Sequence, residues 1–109
     1  MSQVVFKDLS SNYTETNNVQ IDNRRCFSYY DCDNNGIQIM VFDDGLFVNK
    51  HTEDYILELN LRENCYAKIT NSEGIIKFDA KVVEFYQNND ILVMHYLVQD
   101  EDKIIEIKY

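Results

Sequence analysis

Apolar and polar residues alternate along most of this chain, and no segment shows the three-to-four-residue spacing of a helix. In the segment 55–61, Tyr55, Leu57, Leu59 and Leu61 share one face, while Glu58 and Asn60 point the other way. A period of two places successive side chains on opposite sides of a pleated strand, one side dry and one wet. The same rhythm predicts strands over 3–9, 26–31, 37–42, 46–50, 65–70, 75–86, 91–98 and 103–109, with a short one over 19–22. The polar stretch 10–18 has no apolar period and reads as a loop or a weak edge segment. Nine or ten strands follow.

Short polar runs separate these segments. Asp33-Asn34-Asn35-Gly36, Asp43-Asp44-Gly45 and Asn71-Ser72-Glu73-Gly74 supply residues that tolerate the left-handed backbone of a tight return. With every connection short, an up-and-down antiparallel meander that closes on itself is expected over a single domain, 1–109. The segment 75–86 is long enough to bend or carry a bulge. The run 91–98 is apolar on both faces, as in a strand buried on both sides; its second face is expected to lie under a loop, a terminal segment or a second subunit in a homodimer.

Composition supports a folded domain: 45% of residues are hydrophobic and 27% charged, and proline, which would break sheet ladders, is absent. Eight Tyr and six Phe suit pleated surfaces. The net charge of -9 repels polyphosphates, so nucleic acid and anionic membranes are not expected partners. An acidic surface turned toward another protein is the sharper reading of that charge; simple solubility is the blander one. The first residues, 1–8, show no charged segment followed by an apolar run, and three cysteines give no paired spacing. A cytoplasmic protein with reduced thiols is the expectation.

Candidate chemistry is sparse. Asp31-x-Asp33-x-Asn35-Gly36 fits the first half of a calcium loop, but Phe42 stands where a bidentate Glu is needed, so a hairpin turn is expected and no metal site. His95, with Ile91, Val93 and Leu97 on its face, is a candidate for a ligand's polar head or a packed imidazole. His51 is expected in solvent. Cys65 with His95 as its base is the one nucleophile pairing available, and a plain packed cysteine is the simpler reading. Tyr29 and Tyr30 take opposite faces of one strand, so one hydroxyl should point inward; Tyr30 joins His95 as a ligand-contact candidate. Lys77, Asp79 and Lys81 form a wet face opposite Phe78, Ala80 and Val82. No catalytic residue and no cofactor are assigned.

The run Phe27-Ser28-Tyr29-Tyr30-Asp31, the turn ending at Gly36, the strand 37–42 and the turn closing at Gly45 resemble the YwiB-like family of small bacterial proteins. The Glu73-Gly74 turn and the segment 92–98 before an acidic turn add to the likeness. That resemblance implies an all-β, calycin-like (lipocalin-type) barrel of about 8–10 strands, an eight-strand closure leaving room for at most one small ligand. The leading expectation is a non-enzymatic module that binds a small apolar ligand. The alternative is an acidic interaction protein whose barrel is filled by residues such as Phe47, Leu57, Leu59 and Phe78, with enzymatic activity ranked third.

Overall fold

A computed structural model describes residues 2–20 and 23–109 of the chain. Ten strands follow one another: β1 (Ser2–Asp8), β2 (Tyr13–Val19), β3 (Cys26–Tyr30), β4 (Gly36–Phe42), β5 (Gly45–His51), β6 (Tyr55–Leu61), β7 (Tyr66–Asn71), β8 (Gly74–Gln87), β9 (Ile91–Val98) and β10 (Glu101–Lys108). They form one antiparallel sheet in the order β2-β1-β10-β9-β8-β7-β6-β5-β4-β3. Strands adjacent in sequence are adjacent in space everywhere except between β2 and β3, and the pairing of β1 with β10 joins the two ends of the chain. The result is the expected up-and-down barrel, nearly closed.

β8 turns the corner of this barrel. Its first half, 74–79, pairs with β7, and its second half pairs with β9. A register shift between Val82 and Glu84 inserts an extra residue there, which bends the strand and increases its twist. Fourteen residues on one strand thus serve two half-sheets, and Lys77, Asp79 and Lys81 stay exposed while Phe78, Ala80 and Val82 turn inward.

The opposite side carries the seam. Among the described residues β2 pairs only with β1, from Ser2 against Val19 to Asp8 against Tyr13. Much of the stretch expected as a loop or weak edge is therefore an edge strand. Its polar composition hid it, because an edge at the barrel seam needs ladder hydrogen bonds on one side and no continuous apolar stripe. Of the short strand expected over 19–22, Val19 ends β2, while Ile21 and Asp22 lie outside the described residues.

One end of the barrel is packed. Val41, Leu46 and Leu61 lie side by side across β4, β5 and β6, and Leu92, Ile107 and Val4 face them across β9, β10 and β1. All are buried, four of them completely. Burial of each large aliphatic side chain contributes roughly 1.5–3 kcal/mol, so this floor is the main anchor of the fold. The chain wraps it from outside: Arg24 lies over the Tyr109 ring and donates to the Asn89 carbonyl, and Val41 N–H donates to the Arg25 carbonyl at 2.7 Å. Phe47 does not belong to this interior. It pairs with Met40 and Asn60 on the outer face, because Leu46 and Val48 on either side of it point in.

The apolar run of β9 has one face turned in and one turned out. Leu92, Met94 and Tyr96 are buried inside, and Ile91, Val93, His95 and Leu97 are half-buried outside. β9 sits between β8 and β10, whose outer side chains Tyr86, Ile104 and Glu106 stand beside that second face.

Candidate functional site

The other half of the barrel is not filled. Moving outward from the floor, the inner row Phe27–Ile39–Val48–Leu59–Ala67–Phe78 places small residues, Val48 and Ala67, where large ones would be needed to meet across the barrel. The next row is Tyr29–Ile37–Lys50–Leu57–Ile69–Ile76, the last inner row before the mouth. Between these rows and Val4, Phe6, Tyr96 and Ile105 opposite lies a cavity of about 300 Å³ with largely apolar walls. That is the small end of the size range for ligand pockets.

Charged groups ring the mouth, and most are tied down. Asp31 closes the β3–β4 turn: its carboxylate accepts the backbone N–H of Asp33 at 3.0 Å and of Asn35 at 2.8 Å, with Lys50 Nζ at 3.5 Å. Burial pushes this carboxyl up, but the Asn35 hydrogen bonds and the Lys50 charge outweigh it and hold the group below the usual carboxylate range. Asn34 takes the left-handed conformation, φ 63°, that the tight return requires. The motif thus forms the hairpin turn expected of it. Across the mouth, Asp8 accepts Lys103 Nζ at 2.9 Å and the N–H groups of Ser10 and Ser11, and Lys103 holds its carboxyl low. Glu15 accepts the Cys32 N–H at 3.0 Å across the β2–β3 seam.

Two tyrosines differ from the charged groups. Tyr96 is 2% exposed and Tyr29 half-buried, and both line the cavity. Burial, first of all, raises both hydroxyls above the ordinary tyrosine range; Asp8 adds to this at Tyr96, and Glu15 and Asp31 at Tyr29. Both phenols are therefore neutral across the physiological range.

The residues singled out from sequence lie elsewhere. Tyr30 is 72% exposed and borders an open polar groove with Asp33, His51 and Tyr55. His95 is on the outer face of β9, where Nε2 meets Asp102 Oδ1 at 2.8 Å. Neither borders the cavity. Both lie on the wet side because each is flanked in its strand by inward-pointing residues, Tyr29 and Asp31 for the first, Met94 and Tyr96 for the second. Cys65 Sγ donates to the Arg62 carbonyl at 2.8 Å in the β6–β7 turn, so cysteine and histidine each have another partner. His51, as expected, is exposed at the end of β5.

The cavity brings together Tyr29, Tyr96, Lys50 and Glu15, which sequence reasoning did not select. Counting by twos from the inward Phe27 would have reached Tyr29. In β9 no such signal exists, since both faces are apolar and pairing with β8 and β10 decides which turns in. Comparison with protein-family models, curated proteins and solved structures yields no significant match.

Proposed function

We propose that this chain is a non-enzymatic binding protein that holds a small, largely apolar molecule in the open half of its barrel, in the manner of calycin-like carriers. The observation that carries this reading is the asymmetry of the interior: a packed floor at one end and a cavity of about 300 Å³ beneath a charged mouth at the other. Apolar walls with a few convergent polar groups are the usual anatomy of a small-molecule site. The carboxylates at the mouth hold turns, lysines and the seam, which gives them structural work. Native mass spectrometry of protein from gently lysed bacteria tests the reading. A mass above that of the bare chain, lost on denaturation, supports it; the bare chain alone contradicts it.

A second reading, docking to another protein, is favoured by one surface feature. Tyr30, Gly36, His51, Ile56, Thr70 and Ile75 form a single outward row across six strands. Its three largest apolar members, Tyr30, Ile56 and Ile75, are all exposed. A bacterial partner captured by the wild type and not by a Tyr30→Ser, Ile75→Ser variant would support this use of the outer face.

A further inference from the structure

The hydrogen-bonding groups of the cavity carry a statement about ligand chemistry. It rests on the binding reading above and goes one step deeper. Carboxylates near the mouth already have donors: Asp31 has two backbone N–H groups, the Asn35 side chain and Lys50; Asp8 has Lys103, Ser10 and Ser11; Glu15 has Cys32. Glu101 adds a further carboxylate, 3.6 Å from Lys103, so a cation at the rim meets charges that are already partly paired. An incoming anion would meet Asp8, Glu15, Asp31 and Glu101 against only Lys50 and Lys103, in a chain whose net charge is -9. The acidic mouth therefore disfavours an anion, and a charge of either sign would lose its hydration on entering the largely apolar cavity.

The Tyr96 and Tyr29 hydroxyls are the exceptions. Among the described residues neither has a hydrogen-bond partner within the protein, yet no side-chain polar atom sealed from solvent lacks one. Each hydroxyl therefore keeps some contact with solvent, and both tyrosines border the cavity. A phenol with no protein partner in a largely apolar wall is a donor that water, or an acceptor on a ligand, can take up. Tyr96, in register with Lys103, is the more buried of the two, and Tyr29 lies in the last row before the mouth.

We propose that the ligand is an uncharged molecule with a carbonyl-type acceptor oxygen on an otherwise apolar body, seated so that the Tyr96 hydroxyl donates to that oxygen and Tyr29 serves as a second donor. The cavity, about 300 Å³, corresponds to roughly ten water volumes, enough for one substituted ring or a short branched chain. Neutral phenols suit this role at any physiological pH.

Four probes of similar size separate the possibilities: acetophenone, ethylbenzene, benzoate and phenethylamine, each titrated into the full chain and followed by amide chemical shifts. The expected result is binding of acetophenone roughly two- to tenfold tighter than ethylbenzene, the worth of one added hydrogen bond, with benzoate and phenethylamine weaker than both. Tyr96→Phe should erase the advantage of acetophenone while leaving ethylbenzene binding unchanged, which also shows that the variant is folded. Tyr29→Phe should reduce it. Equal binding of acetophenone and ethylbenzene, an advantage that survives Tyr96→Phe, or preference for a charged probe overturns the proposal and leaves the binding reading standing. Binding of none of the four overturns both.

Discussion

Glu15 on β2 accepts the backbone N–H of Cys32, just beyond β3, at 3.0 Å, and so bridges the one place where neighbouring strands share no ladder. A second, looser contact runs from Cys32 Sγ to Asn17 at 3.9 Å. The barrel is closed there by side chains. Glu15→Ala should therefore loosen the seam selectively: amide exchange at Cys32 and along β2 should quicken, by roughly tenfold at Cys32, while β5, β6 and β9 keep their protection. Hydrogen exchange followed by NMR checks this, and a uniform change over all strands would contradict it.

Gly45, at the start of β5, has φ 155°, and a Cβ there would collide with the Leu61 carbonyl of β6. Backbone cannot give way as a flexible side chain can, and the clash falls beside the packed floor. Gly45→Ala should cost more than about 3 kcal/mol in urea unfolding. Gly74, with φ 140° but open space around it, is the control: Gly74→Ala should cost about 1 kcal/mol, from backbone strain alone.

Asp31 gives the acid limb of stability a definite sign. Its carboxyl is held below its ordinary range in the folded protein, so folding favours the ionised form. The contribution is full above about pH 4, the ordinary aspartate value, and is lost as the pH falls through the lower folded value. Asp31→Asn should thus be less stable than the wild type by about 1–2 kcal/mol at pH 7, with the gap closing below pH 4. Denaturant unfolding at a series of pH values checks this, and a gap that stays constant with pH would contradict it.

The two ends of the barrel should respond differently to truncation. Leu92 is completely buried in the floor, and Leu92→Ala should cost about 2–5 kcal/mol because the packed surroundings cannot collapse into the gap. Leu57 borders space that already exists, so Leu57→Ala should cost less than about 2 kcal/mol. Comparable losses at both positions would mean that the interior is packed throughout.

Much of this architecture was legible in the chain because period-two alternation is a local signal. Tyr55, Leu57, Leu59 and Leu61 declared β6, and the Asp-Gly and Glu-Gly turns marked the ends of their hairpins. β2 was harder to read, since an edge strand built of Thr, Glu and Asn is held by pairing with β1 rather than by an apolar stripe. The candidate site was the least legible part. Which of Tyr29 and Tyr30 turns inward follows from their position relative to Phe27, but the inward turn of Tyr96 follows from which faces of β8 and β10 turn in beside it, which the apolar run of β9 does not declare. The cavity arises from what Val48 and Ala67 fail to fill, and no single residue announces a void.

Ala67 offers the most direct test, because its buried methyl group points into the cavity. Ethylbenzene, a neutral apolar one-ring probe followed by amide chemical shifts, should bind the wild type saturably with one molecule per chain. Ala67→Phe, which fills the space from within, should abolish that binding while the amide spectrum of the packed end is preserved. Binding that is absent from the wild type, or unchanged in Ala67→Phe, would contradict a ligand-holding barrel.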